Sequence, residues 1–213
     1  MKELKELLAK ECNHRFSMDT PIMEKFIDSL SEVRLRRGEV LTRCGQLDSN
    51  IYVIRSGIIK LTYFDGLKER IFAFGTPGSL LGQMHCYYMH LPSFFQSDAC
   101  TEAVVMKISK QKFDALISES EEFARWVLDR ALDQLCGLEM RLDRVNGRAY
   151  ERYVSLANIV PEVVGSVSSK SIASYLGITP AYLSQLKKKY ALRVAKNEGE
   201  ISPVTSHTVK SSK

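Results

Sequence analysis

The residues best suited to chemistry in this sequence lie near its C-terminal end. Thr179, Tyr182 and Gln185 carry hydrogen-bonding side chains, and three lysines follow at 187–189. Hydrogen-bonding groups suit the edges of nucleic-acid bases, whereas lysines suit phosphates. Residues 141–213 carry 12 Lys/Arg against 5 Asp/Glu, while residues 1–140 carry 18 against 20. This distribution favours a polyanion as the partner of the basic end of the chain.

The cysteines show no spacing typical of a metal or redox site. No two of them form a CxxC pair, and the sequence has no nucleophile–base arrangement and no phosphate-cradling loop. We therefore expect reduced single thiols, no catalytic residues, no metal site and no enzymatic activity. An iron–sulfur site assembled from distant cysteines is the alternative, and the spacing does not support it. The five cysteines are Cys12, Cys44, Cys86, Cys100 and Cys136.

The segment Ser169–Tyr190 predicts a helix-turn-helix. Ala173 is small enough for two helices to cross closely, and Gly177 allows the positive φ that the turn requires. Thr179 can cap the second helix, and Pro180 suits its first turn. Residues on the outward face of that helix would enter the major groove of DNA. The apolar positions that hold the two helices to the core are Ile172, Leu176, Ile178, Leu183 and Leu186.

The sequence from Val33 to Ile108 has a different pattern, with short apolar runs and frequent glycines. The runs are rich in β-branched and aromatic residues, and Asp65-Gly66 between two of them is typical of a hairpin. This pattern predicts an antiparallel barrel or jelly roll. With the helices that flank it, the fold class is α+β.

A long helix is predicted from about Glu119 to Asn146, and it contains a heptad repeat. Apolar residues recur at alternating spacings of four and three, which favours side-by-side packing of two helices and hence a parallel dimer. A helix buried against its own domain is the alternative. The predicted dimer seam consists of Leu128, Ala131, Leu135, Leu138, Leu142 and Val145.

Two glycine-rich motifs in this order of elements resemble the Crp/Fnr family of transcription regulators. The first runs GEVLTRCGQLDSNIYVIRSGIIKL, with Gly38, Glu39, Leu41, Gly45, Tyr52, Ile54 and Gly57 at the positions that match. The second is GTPGSLLGQM, with Gly75, Pro77, Gly78, Leu81 and Gly82, which is similar to the turn before the ligand cassette of the family. The resemblance covers about residues 20–195. It implies a β-roll sensor, a dimerisation helix and a C-terminal helix-turn-helix.

The chain departs from the nucleotide-binding members of the family at its expected effector pocket. Gln83 stands where those members have a glutamate, and Ser93-Phe94 stands where they have an arginine and a hydroxyl residue. We therefore do not expect cyclic AMP to bind. Either a more apolar effector occupies the pocket or aromatic side chains fill it. Haem binding through His85 is not expected, and neither is the family's iron–sulfur sensor. The predicted pocket residues are Gly82, Gln83, Met84, Ser93, Phe94, Phe95, Asp133 and Gln134.

Together these observations predict an allosteric, homodimeric and sequence-specific DNA-binding transcription regulator. An effector-binding regulator that acts mainly through a protein partner is the alternative. Expected partners are double-stranded DNA with a near-palindromic operator, a second copy and, as a candidate, RNA polymerase. No apolar run reaches the roughly 18 residues that span a membrane, and no signal peptide is evident, so we expect a cytoplasmic protein. The resemblance to the Crp/Fnr family implies a bacterial one. The predicted DNA-binding residues are Ser169, Lys170, Thr179, Ala181, Tyr182, Ser184, Gln185, Lys187, Lys188, Lys189 and Arg193.

The expected domains are a cyclic-nucleotide-binding-like β-roll over 1–118, a dimerisation helix over 119–147 and a helix-turn-helix domain over 148–200. A flexible tail over 201–213 follows. Because little chain remains after Ile201, we expect the wing that often accompanies this motif to be reduced or absent.

Overall fold

A computed structural model describes residues 2–66, 68–145 and 147–197, although not the side chains of 141–145 and 196–197. The predicted tail and wing lie outside the described residues. The helices are α1 (Lys2–Glu11), α2 (Pro21–Asp28), α3 (Met84–Met89), α4 (Lys110–Glu119), α5 (Glu121–Val145), α6 (Ala149–Ile159), α7 (Pro161–Ser166), α8 (Ser169–Leu176) and α9 (Pro180–Asn197). The strands are β1 (Ser31–Leu35), β2 (Val40–Thr42), β3 (Ile51–Ser56), β4 (Ile59–Asp65), β5 (Lys68–Gly75), β6 (Leu80–Gly82), β7 (Gln96–Ala99) and β8 (Ala103–Ile108).

The strands form two four-stranded antiparallel sheets, which confirms the predicted β-roll. One sheet has the order β1-β8-β3-β6 and the other has the order β2-β7-β4-β5. A buried cluster that includes Ile54, Ile59 and Val105 fills the roll. The hairpin predicted at Asp65-Gly66 joins β4 to β5, with Asp65 opposite Lys68. No helix in the described ranges is both long and apolar enough to cross a membrane.

An aromatic cluster attaches the start of the long helix to the roll. Phe123 and Trp126 of α5 are fully buried, and they pack with Phe26 of α2 and Phe113 of α4. The helix begins at Glu121 rather than Glu119, because Ser120 is extended and separates α4 from α5. The backbone N–H of Phe123 donates to Ser120 Oγ at 3.2 Å, so this serine caps α5.

The C-terminal helices form their own core and dock on the roll. That core includes Ile172, Ala173 and Leu183, and Ile58 and Cys100 of the roll belong to the same buried cluster. Strand β5 is the edge of its sheet, and the Ser174 hydroxyl of α8 lies against it. This hydroxyl accepts from the N–H of Ile71 at 3.3 Å and donates to the carbonyl of Glu69 at 3.2 Å. Helix α8 therefore covers a strand edge that would otherwise be open to pairing.

Candidate nucleic-acid interface and effector cavity

The turn between α8 and α9 has the geometry that the sequence predicts. Gly177 ends α8 in the left-handed conformation with φ +65°, and the N–H of Ile178 donates back to the carbonyl of Ala173. The Thr179 hydroxyl accepts from the N–H of Tyr182 at 3.2 Å and so caps α9. Ala173 is buried where the helices cross. These local features hold α9 at a defined angle to α8.

Helix α9 turns its polar side to solvent. Its apolar side is buried through Leu183 and Leu186. Lys187 is half-buried, with its Nζ 3.4 Å from Ser169 Oγ, and Lys189 Nζ lies 4.6 Å from the centre of the Tyr150 ring. All the predicted contact residues except Lys187 are exposed: Ser169, Lys170, Thr179, Ala181, Tyr182, Ser184, Gln185, Lys188, Lys189 and Arg193.

The heptad residues of α5 whose side chains are described are exposed, although all of them are apolar. Leu128, Leu135 and Leu138 expose 57%, 52% and 42% of their surface, and Ala131 is exposed as well. The alternative of a helix buried against its own domain is therefore wrong for these positions. Leu132, at 52% exposed, widens the same apolar face. Leu142 and Val145 lie where side chains are not described.

A cavity of about 560 Å³ lies where the β-roll, α5 and the helix-turn-helix domain meet. Such a volume is within the usual range for small-molecule sites. Its walls are mainly apolar and aromatic, with contributions from Phe72, Phe74, Phe95 and Tyr175. Phe72 and Phe95 pack at 4.7 Å between ring centres, and Phe74 and Tyr175 at 5.2 Å.

The structure places only some of the predicted pocket residues around this cavity. Gly82, Gln83, Met84, Phe95 and Gln134 line it. Ser93 is buried behind Gln83. Phe94 is 62% exposed and stacks on His85, while Asp133 is exposed with an oxygen 3.7 Å from Arg130 Nη1. Ser93, Phe94 and Asp133 are thus not part of the lining.

The polar side chains at the predicted nucleotide position bond with one another. The Gln83 amide nitrogen donates to Thr42 Oγ1 at 3.0 Å, and its amide oxygen accepts from Ser93 Oγ at 2.7 Å. The Gln134 amide nitrogen of α5 donates to the carbonyl of Leu80 at 3.1 Å. These internal bonds hold both amide groups in place, and they satisfy the buried amide of Gln83.

Two cavity residues from the helix-turn-helix domain could not be found from the sequence. Arg152 of α6 and Tyr175 of α8 lie far along the chain from the cassette, and only the docking of α8 on β5 brings them to the cavity. Arg152 donates to the carbonyls of Gly147 at 2.6 Å and Leu176 at 3.1 Å. It therefore joins the start of the domain to the end of α8.

Cys100 packs where the two domains meet. Burial raises the pKa of its thiol to about 11, so the thiol is protonated at neutral pH and is a weak nucleophile. Within the described ranges all five cysteines are free, and no group of three or more His, Cys, Asp or Glu residues could hold a metal ion.

Cyclic AMP should leave the thermal unfolding midpoint of the protein unchanged. The cyclic phosphate would be buried beside Gln83 and Ser93, which are uncharged and already bonded, and burying an unpaired charge is costly. Differential scanning fluorimetry with increasing cyclic AMP, and adenosine as the uncharged control, measures this. A rise in the midpoint with cyclic AMP but not with adenosine would contradict the prediction.

Comparisons with known proteins agree with this architecture. The family model described as the cyclic nucleotide-binding domain matches residues 32–120. The anaerobic regulatory protein of Haemophilus influenzae is 26% identical over 169 residues, which cover 73% of this chain and 65% of that protein. The chain thus spans just under two-thirds of the length of this curated relative.

Solved structures of regulators share the fold. CLP of Xanthomonas campestris, described as a global regulator responsive to c-di-GMP, matches with a TM-score of 0.65 at 17% identity, over 83% of this chain and 93% of that chain. FixK2 of Bradyrhizobium japonicum matches with a TM-score of 0.63 at 17% identity, over 83% of this chain and 89% of that chain. The catabolite activator protein of Thermus thermophilus matches with a TM-score of 0.52 at 17% identity, over 87% of this chain and 88% of that chain.

Proposed function

We propose that this chain, which has the sequence motifs and the fold of the Crp/Fnr transcription regulators, is a homodimeric and sequence-specific DNA-binding regulator of the bacterial cytoplasm. The observation that carries the proposal is the exposed polar side of α9. It presents Tyr182, Ser184 and Gln185 beside the basic residues Lys188 and Arg193. A helix of this kind fits the major groove, where side chains reach base edges while flanking cations contact phosphates.

The exposed apolar face of α5 supports the homodimer. A second copy would cover Leu128, Leu135 and Leu138 and remove their apolar surface from water. A two-fold dimer would set two α9 helices about one DNA turn apart, roughly 34 Å, and would match a near-palindromic operator. RNA polymerase is a candidate further partner.

In this proposal the chain divides into the domains that the sequence predicts. Residues 1–118 form the sensor, 119–147 the dimerisation helix and 148–200 the DNA-binding domain, with 201–213 as a tail. An effector at the β-roll would change how α5 and α8 pack on the sheet and so the spacing of the two recognition helices. The hydrogen bonds of Ser174 with β5 support this coupling, because they join α8 directly to the β-roll.

DNA binding is tested by a sequence-selection assay followed by titration of the selected duplex at several salt concentrations. Each phosphate contact should add about −0.9 to the slope of log K against log salt. Lys188→Ala should make the slope less steep by about 2 per dimer, whereas Lys112→Ala, on the exposed side of α4, should not alter it. Absence of any selected sequence would favour the alternative, a regulator that acts through a protein partner.

Gln185→Ala should relax base preference without abolishing DNA binding. A glutamine amide can bond adenine at two atoms, and such a pair contributes about 1–3 kcal/mol of discrimination. One position in each half-site should therefore lose its preference in the selection assay, while the salt slope stays the same. Gln111→Ala, at an exposed glutamine of α4, is the matched control. An unchanged preference in Gln185→Ala would exclude the assigned reading role.

A further inference from the structure

The cavity between the β-roll and the helix-turn-helix domain has the properties of a ligand site. It is about 560 Å³ in volume, and the roll, α5, α6 and α8 all contribute to its walls. Interfaces between domains are common positions for such sites. Any molecule that fills this cavity touches both the sensor and the DNA-binding domain.

A glycine in the middle of α5 leaves this cavity open. Gly137 lines the cavity, and a Cβ added there would meet no atom within 4 Å. Glycine inside a helix costs about 1 kcal/mol relative to alanine. Residue 137 is off the heptad seam, so the missing side chain does not serve the predicted dimer contact. Its effect here is to leave space beside the aromatic wall.

The lining selects for an apolar molecule. Four aromatic side chains, Phe72, Phe74, Phe95 and Tyr175, supply ring faces and edges suited to a flat partner. The amides of Gln83 and Gln134 already bond within the protein. Arg152 also lines the cavity, and its guanidinium donates to the carbonyls of Gly147 and Leu176. A charged ligand would therefore lose its hydration beside groups that already bond within the protein, whereas an aromatic hydrocarbon skeleton would gain from burial.

We propose that this interdomain cavity binds an uncharged, mainly aromatic small molecule, and that such a molecule is the effector of the regulator. The regulatory role of this ligand rests on the proposed function, whereas its chemical class follows from the residues that line the cavity. Bound against both Phe74 of β5 and Tyr175 of α8, whose rings pack on each other, the ligand stabilises the arrangement in which α8 is docked on the roll. Its binding free energy favours that arrangement only to the extent that both walls contribute.

The test uses N-phenyl-1-naphthylamine, a neutral two-part aromatic fluorophore, with the purified full chain. Its fluorescence should rise and saturate at one molecule per chain, and the thermal unfolding midpoint should rise with it. Gly137→Phe should fill the cavity and raise the dissociation constant of the probe at least tenfold. Gly137→Leu adds a smaller side chain and should raise the dissociation constant less. Gly165→Phe, at another helical glycine with open space but away from the cavity, should leave it unchanged.

Each outcome bears on the proposal. Equal binding by the wild type and both Gly137 variants would place the probe on exposed apolar surface and overturn the site, as would a lack of saturable binding by the wild type. Circular dichroism checks that the variants are folded, and Gly137→Leu provides a second variant if the phenylalanine disturbs α5. The selection assay is run on the same proteins without the probe. A chain that binds the probe but selects no DNA would contradict the proposed function and leave the site standing.

Discussion

Replacing Leu135 with aspartate should convert the protein to a monomer and weaken operator binding about 100-fold or more, because linked binding of two half-sites contributes that much avidity. Leu135 is 52% exposed on α5, so the change should cost the isolated chain little. In a two-fold dimer the two copies of residue 135 would face each other. Two carboxylates would then be buried side by side without partners, which is strongly unfavourable.

Light scattering coupled to size exclusion measures the mass of this variant. Leu47→Asp is the matched control, because Leu47 is 66% exposed on the roll and lies outside α5. It should remain dimeric and keep wild-type DNA affinity. If Leu135→Asp is still a dimer at micromolar concentration, the seam on α5 is wrong.

Gly57→Ala should destabilise the β-roll by more than about 3 kcal/mol, since it combines left-handed strain with overpacking. Gly57 has φ +83°, which L residues rarely adopt. An added Cβ would also lie 2.7 Å from the Cα of Ala103 and against the carbonyl oxygen of Glu102. Because these neighbours are backbone atoms, the site can relax only if the chain around Ala103 moves.

The control for this prediction is Gly38→Ala. Gly38 has the same φ of +83°, but a Cβ there would meet no atom within 4 Å. It should therefore cost only about 1–2 kcal/mol, the penalty of the left-handed conformation alone. Urea unfolding followed by circular dichroism gives both values. Equal losses would show that the contact with the backbone at 102–103 has no effect.

Local sequence signals were sufficient for the elements that depend on near neighbours. Gly177, Thr179 and Pro180 determine a turn and a helix start within a few residues, and the structure confirms all three roles. The heptad spacing marked the apolar face of α5, which the structure leaves exposed. The start of α5 lies two residues beyond the predicted Glu119, because the extended backbone of Ser120 divides two helices.

Contacts between distant segments could not be predicted in the same way. Whether Phe94 lines a cavity or lies on the surface depends on how the loop before β7 folds back. Asp133 and Gln134 are neighbours in the sequence, but only Gln134 lines the cavity. The bonds of Gln83 with Thr42 and Ser93 join three segments of the roll. No pattern along the chain marks such a set.

By itself, then, the sequence determined the β-roll, the long helix with its apolar face and the helix-turn-helix, because these depend on periodicity, glycine conformation and capping. Only the tertiary structure decided that α8 docks on the edge strand β5 through Ser174, and that Arg152 and Tyr175 reach a cavity beside Gly137. The physical reason is that Ser174 is more than a hundred residues from its partners on β5. Contacts of that separation follow from how complete surfaces fit together rather than from any local preference.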